Sequence, residues 1–311
     1  MKIFENLTPS ERETAVALGN FDGVHLGHRK VISLALEEAG NGLVPTVLTF
    51  SANPLEALGG ESGGKILSRE EKIRVLEELG VEQLYLLDFE TVRNFSAEEF
   101  VRDILGGTLR AKKACCGFNF TFGRGGTAGS EALCQLCAEE GIRTAVAQAV
   151  MAGGTPVSST RIRGLIENGR VEEAADLLGS TFSYVSSVLH GRQLGRQLGT
   201  PTLNQAAPEG FVLPKFGVYV SKVTLPGGAQ YAGVTNVGVK PTVGSDAVWV
   251  ETWMPDYKGA ELYGKTVRTE LLRFLRPERR FGGIDELRDA IRRDGAKASE
   301  FYRKAFSSSQ K

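Results

Sequence analysis

The chain is poor in several residue types, and each shortage removes a class of explanation. There are four cysteines in 311 residues: Cys115, Cys116, Cys134 and Cys137. The first two are neighbours in an apolar, strand-like run, and the other two lie in EALCQLCAEEG, which reads as a helix. Neither arrangement gives a disulfide framework or two pairs at zinc-site spacing. Reduced structural thiols are expected, and with them a cytoplasmic location. No apolar run approaches the roughly 18 residues of a membrane span, and MKIFENLTPSERE lacks the apolar core of a signal peptide. No G-x-x-x-x-G-K-[ST] pattern occurs, so the chain is not a P-loop protein. The formal net charge is +0, so neither nucleic acid nor a membrane is an expected partner. The balance hides an asymmetry. Residues 1–180 carry 18 Lys+Arg against 25 Asp+Glu, and residues 181–311 carry 19 against 12. Two domains of opposite charge follow, and self-association between copies is left open. Glycine, by contrast, is plentiful at 38 residues, above the average of about 7%. Many turns, and places where backbone approaches a ligand closely, are expected.

The length predicts two domains. In residues 1–180 strand-like and helix-like segments alternate. Strands are predicted at 14–18, 45–50, 83–89, 111–118 and 143–150. Helices are predicted at 29–39, 68–79, 96–105 and 130–140, with two short ones, STRIRGLIEN and VEEAADLL, closing the half. Ser68 with Glu71 and Ser96 with Glu99 have the spacing of capping boxes. Alternating β and α predicts a parallel sheet covered on both faces, with ligands beyond the C-terminal strand ends. After residue 180 strands dominate, at 182–189, 217–225, 230–239, 248–254 and 265–274. One amphipathic helix, about 285–305, follows. This pattern predicts a small antiparallel barrel or sandwich.

Four loops fall at strand ends in the first half. GNFDGVHLGH, residues 19–28, holds His25 and His28, two of the chain's three histidines, just before a helix N-terminus. Backbone N–H groups there attract anions, and imidazoles can donate to phosphate oxygens. TFSANPLE follows the second strand. GFNFTFGRGGTAGS, residues 117–130, is a glycine-rich turn bearing Arg124, able to wrap an anion. VSSTRIR, residues 157–163, offers Ser159 and Thr160, with Thr160 as the expected cap of a helix starting at Arg161. Each alone reads equally well as a cap or a turn. Together they favour a nucleotide-phosphate site.

In the second half, GRQLGRQLGTPTLN has glycines at Gly191, Gly195 and Gly199. Three glycines in a helix would cost it roughly 3 kcal/mol, so a loop is predicted. Arg192 and Arg196 make it basic. Thr202 and Asn204 lie two apart, on one face of extended chain, with oxygens suited to Mg²⁺. Alone, the segment reads best as a basic surface hairpin.

In this order and spacing, HLGH, GFNFTFGRGGTAG and VSSTRIR resemble the N-terminal module of prokaryotic bifunctional riboflavin kinase/FMN adenylyltransferases (FAD synthetases). PTLN, GVTNVGVKPTVG, VETWMPDYKGAELYGKTV and FLRPERRFGGIDEL resemble the riboflavin kinase module of that family. The resemblance implies a Rossmann-like nucleotidyltransferase domain with a parallel sheet over residues 1–180. Over 181–311 it implies a six-stranded Greek-key β-barrel with a terminal helix. It further implies two activities: riboflavin and ATP to FMN, then FMN and ATP to FAD and pyrophosphate. His25 and His28 would contact the ATP phosphates. Asn20 and Asp22 would shape their loop, and Ser159, Thr160 and Arg161 would hold phosphates with Arg124. Asn119 matches a flavin- or metal-contacting position. In the kinase half Glu251 matches the catalytic carboxylate, Thr202 and Asn204 the Mg²⁺ site, and Gly191, Gly195 and Arg196 the nucleotide loop. The chain departs from the family at Asn53, where many members have histidine, at Thr200, where an aromatic often precedes the proline, and at Trp253.

Overall fold

The computed structural model describes residues 1–60, 62–191, 199–242 and 245–306, without the side chains of 240–247. They form two compact units, Met1–Ser159 and Thr160–Lys311. Among the described residues no helix is long and apolar enough to cross a membrane.

The first unit is built on a six-stranded parallel sheet. Its strands are β1 (Lys2–Phe4), β2 (Thr14–Leu18), β3 (Val44–Phe50), β4 (Gln83–Leu87), β5 (Ala111–Gly117) and β8 (Arg143–Ala147). Their spatial order is β1-β4-β3-β2-β5-β8. The chain winds outward from β2 to β3 and β4, then returns to add β5 and β8 on the other side. Order therefore reverses between β2 and β5, and the crevice beyond their C-terminal ends is where such sheets take ligands. The strands are apolar because both faces are covered: TAVAL of β2 and QLYLL of β4 are buried throughout. Helices α1 (Leu26–Leu36), α3 (Arg69–Glu78), α4 (Ala97–Glu99, continuing in wide π-type turns to Thr108) and α5 (Ser130–Glu139) supply the cover.

Ser68 accepts from the Glu71 N–H at the start of α3, and Ser96 and Glu99 form the complete capping box of α4. The strand β1 and the short hairpins β6–β7 (Thr121–Phe122, Ala128–Gly129) and β9–β10 (Met151–Ala152, Thr155–Pro156) were not predicted. With two or three residues each, they are too short to show a period. All four cysteines are free. Cys115 and Cys116 lie in β5, and Cys134 and Cys137 lie on α5.

The second unit opens with α6 (Ser159–Glu167, whose first residue belongs to the other unit) and α7 (Val171–Leu178). Six strands follow: β11 (Ser183–Ser187), β12 (Thr202–Ala206), β13 (Gly217–Thr224), β14 (Gln230–Thr242), β15 (Ser245–Trp253) and β16 (Thr266–Arg276). All pairings are antiparallel, in the order β11-β16-β13-β14-β15-β12. Three consecutive strands, β13 to β15, form a meander, and β12 lies beside the last of them, which is a Greek key. The sheet nearly closes. Leu189 N–H donates to Asn204 O at 2.7 Å, and Gln205 Nε2 donates to Ser186 O at 3.0 Å. Helix α8 (Ile284–Phe306) seals one face, where Ala298 meets Val218, Val220 and Val234. The short strand β12, flanked by Gly199 and Pro201, was read only as extended chain.

Glu38 ties three elements of the first unit together. Its buried carboxylate accepts from Lys113 on β5 at 2.9 Å and Arg143 on β8 at 2.8 Å, just beyond α1. The bonds from Arg143, Asn41 and Lys113 hold its pKa down at about 2. A carboxyl whose folded pKa is depressed stabilises the fold fully above its unfolded value near 4.5, and that contribution is lost as pH falls toward 2. Glu38→Gln is therefore expected to lower stability at pH 7 by roughly 2 kcal/mol, the size of a charge-assisted hydrogen bond. The gap from wild type should narrow between about pH 4.5 and 2 in urea denaturation series. A gap independent of pH would contradict the role.

Candidate functional site

The loop after β2 is held in an unusual conformation. Phe21 and Val24 have φ of +49° and +42°, a region that costs a non-glycine residue of order 1 kcal/mol or more. The loop's carbonyls are pinned in turn. Thr49 Oγ1 and Lys72 Nζ both donate to Asn20 O, at 2.8 and 3.0 Å. Ser159 Oγ donates to Asp22 O at 2.9 Å, and Arg29 Nε to Val24 O at 3.1 Å. The Asp22 carboxylate accepts from Ile66 N–H at 3.1 Å. Asn20 and Asp22 thus take part in the loop's own framework.

This framework delivers His25 to the N-cap of α1, where its Nδ1 accepts from His28 N–H at 3.2 Å. A neutral imidazole accepting at Nδ1 carries its proton on Nε2. Burial pushes the His25 pKa down to about 4. Burial, followed by the charges at His25 and Lys72, holds His28 well below its ordinary value. Near pH 7 both rings are therefore neutral hydrogen-bonding groups. They stack with centroids 3.6 Å apart at 14°, and Phe21 meets His28 edge-on at 5.3 Å. Among the described residues no partner reaches the buried Nδ1 of His28. Gly27 leaves the His25 ring room, since a Cβ there would sit 3.1 Å from His25 Cε1. The helix therefore starts at Leu26, three residues earlier than predicted.

The other predicted residues fare differently. Asn119 is exposed, two residues past the end of β5. Arg124 donates through Nε and Nη2 to Asn94 O at 3.1 and 2.8 Å. It fastens the glycine-rich turn to the approach of α4, where Gly123 packs on Ala97. Helix α6 begins at Ser159, so Thr160 lies inside its first turn and is not the cap. Arg161 follows in the same turn, half-buried. Asn53 caps the short helix α2 (Pro54–Ala57), accepting from Leu55 N–H at 3.1 Å.

In the barrel, register brings the candidates together. Asn204 on β12 lies directly opposite Glu251 on β15, and Glu251 lies opposite Asn236 on β14. A carboxylate thus stands between two amides, with Thr202 two residues along the same strand face as Asn204. Asn204 is buried, and among the described residues its Oδ1 has no hydrogen-bond partner. A bare amide oxygen beside a hydroxyl and a carboxylate is hard-donor chemistry, which fits Mg²⁺. Gly191 is needed here because a Cβ would come within 2.5 Å of Asn204 Nδ2. Gly195 and Arg196 lie outside the described residues. Thr200 is buried, and Trp253 packs on Gly295 of α8.

Two residues escaped the sequence reading. Asn236 is visible only through register. Lys72 carried a signal: it sits with Val75, Leu76 and Leu79 at helical spacing, a cation on the apolar face of an amphipathic helix. Gly191→Ala is expected to push the Asn204 amide aside. For the activities that the sequence resemblance implies, riboflavin phosphorylation should fall at least about tenfold, while FAD formation from supplied FMN is retained. Initial rates of both reactions, read by flavin chromatography, test this, and an unchanged phosphorylation rate would contradict it.

The comparisons with known proteins divide at the same change of architecture. The FAD synthetase family model matches residues 7–161 and the riboflavin kinase model residues 178–302. The chain is similar to the bifunctional riboflavin kinase/FMN adenylyltransferase of Bacillus subtilis, 34% identical over 94% of this chain and 93% of the relative. Its similarity to the protein of that name from Escherichia coli K12 is also 34%, over 96% of each. Among solved structures it resembles one titled macrolide-efflux protein from Streptococcus pneumoniae. The TM-score is 0.87 at 30% identity, over 96% of this chain and 98% of that one. With both modules matched in order and whole-length relatives above 30% identity, the chain belongs to the family of bifunctional riboflavin kinase/FMN adenylyltransferases.

Proposed function

We propose that the chain makes FAD from riboflavin in two ATP-dependent transfers. Residues 181–311 would carry the kinase and residues 1–180 the adenylyltransferase. The observation that carries this reading is the joint occurrence of two unlike phosphate chemistries in one chain: a neutral, stacked imidazole pair at a helix N-terminus, and a carboxylate in register between two amides.

In the kinase, Glu251 accepts the proton of the ribityl 5′-hydroxyl as that oxygen attacks the γ-phosphorus of ATP and ADP leaves. Thr202 and Asn204 would hold Mg²⁺, which neutralises charge on the phosphates. Gly191, Gly195 and Arg196 would bind the nucleotide. In the adenylyltransferase, a phosphate oxygen of FMN attacks the α-phosphorus of ATP and pyrophosphate leaves. No covalent enzyme intermediate is needed, so catalysis rests on position and charge neutralisation. His25 donates from Nε2, and His28 from its ring N–H, to phosphate oxygens in the crevice between β2 and β5. The N–H groups of α1 point the same way. Ser159, Thr160 and Arg161, at the start of α6, bind phosphate, and Asn119 contacts the flavin. Arg124 acts through the turn it fastens. The four free thiols support a cytoplasmic location, and the balanced net charge supports small-molecule partners over nucleic acid. The opposite charges of the two halves leave room for contact between copies.

Incubation with riboflavin, ATP and Mg²⁺, followed by chromatography of the flavins, is expected to give FMN and then FAD. Seeing neither would sink the reading. His28→Ala should reduce FAD formation by two orders of magnitude or more while FMN still accumulates, on the scale of losing a transition-state hydrogen-bond donor. Glu251→Ala should do the reverse, stopping FMN formation but sparing FAD made from supplied FMN. Parallel loss of both products in either variant would contradict the modular assignment.

A further inference from the structure

Lys72 is a buried lysine on α3. Its ammonium donates to Asn20 O at 3.0 Å and Phe50 O at 3.3 Å. Asn20 begins the histidine loop two residues beyond β2, and Phe50 is the last residue of β3. One charged group therefore bonds the exits of two adjacent parallel strands at the switch-point end of the sheet. Asn20 O also receives Thr49 Oγ1, so the carbonyl has two donors. Directly after it come the residues with positive φ and then His25. A strained segment keeps its shape only where its surroundings over-determine it, and Lys72 fixes the point from which this segment departs.

A surface salt bridge would suffice to anchor a helix, and α3 has one in Arg69 with Glu5, just after β1. Burying a lysine among backbone carbonyls costs solvation, and here burial brings its pKa down to about 8, with Asp22 acting the other way. An apolar side chain would close the same space without that cost. The position of the charge, under the histidine loop and close enough to His28 to disfavour its protonation, supplies what an apolar residue could not.

We propose that Lys72 is a positioning residue for adenylyl transfer, its ammonium holding the exits of β2 and β3 so that the His25–His28 pair is set for the reacting phosphates. The inference rests on the assignment of that pair to adenylyl transfer. It acts through the loop, so its effect belongs in kcat and not in ground-state binding of ATP or FMN.

The test measures FAD formation from FMN and ATP in the full-length chain for Lys72→Met, Lys72→Arg, Thr49→Val and His28→Ala. Lys72→Met keeps an unbranched chain one atom shorter and removes the charge and both bonds. Its kcat is expected to fall about 10- to 100-fold, the effect of misplacing a catalytic group by about an ångström, with KM values changed less than about threefold. Lys72→Arg should recover part of the loss. Thr49→Val, which removes only the neutral donor to Asn20 O, should lower kcat by a smaller factor with KM again preserved. If Lys72→Met does not fold, Thr49→Val and Lys72→Arg decide the matter: unchanged kcat in both overturns the proposal. An effect confined to KM, or full activity in Lys72→Met, overturns it as well. Failure of His28→Ala to reduce FAD formation would instead overturn the assignment of the histidine pair, which separates the two failures.

Discussion

The hydrogen bond from His28 N–H to His25 Nδ1 is the constraint on which the first unit's chemistry depends. It does three things at once. It caps α1, it fixes which nitrogen of His25 carries the proton, and it lays the two imidazoles face to face. A cap is usually a serine or aspartate. With histidine in that position, the ring that caps the helix through Nδ1 also carries an N–H at Nε2. The glycine between the histidines suits this arrangement, because a Cβ would press on the His25 ring at 3.1 Å. The positive φ values of Phe21 and Val24 follow from the need to bring His25 round to the helix axis, and the pinned carbonyls follow from those. Burial keeps both rings neutral near pH 7. They therefore offer hydrogen-bond donors near pH 7 without titrating.

The barrel solves a related problem with register in place of a cap. Glu251, Asn204 and Asn236 are far apart in sequence and come level only because β12, β15 and β14 are neighbours. A slip of one residue would turn Asn204 into the barrel, where Leu203 and Gln205 now lie. Those two pin the alignment. Leu203 packs with Val188, Val223, Met254 and Val267, while Gln205 bonds Ser186 O, Val267 O and Thr269 Oγ1. The polar interior thus protects the geometry of the outer face.

Much of this was legible in the chain. Ser68 and Ser96 announced the starts of α3 and α4, and the change from alternating β/α to strand-rich sequence announced the change of architecture. HLGH before a helix, and Thr202 two residues from Asn204, could be picked out as candidates for phosphate and cation chemistry. What escaped detection did so for physical reasons. Arg124 reads as an anion ligand in a glycine-rich turn, yet it lies within reach of the Asn94 carbonyl, and a guanidinium takes such a partner. Thr160 reads as a cap, yet the helix already starts at Ser159, which puts Thr160 inside its first turn. Lys72 is a charge in an apolar stripe, and sequence cannot say whether such a charge snorkels to water or is met inside by carbonyls.

Sequence alone determined the order of elements, the two-part organisation and the types of residue available for chemistry, because periodicity, caps and turn residues are local properties of the chain. Tertiary structure decided which strand ends became neighbours, that Glu251 stands between Asn204 and Asn236, that Lys72 bonds the exits of β2 and β3, and that the imidazoles are buried and neutral. Those outcomes depend on packing between segments distant in the chain, and on the loss of water around them, which no local pattern encodes.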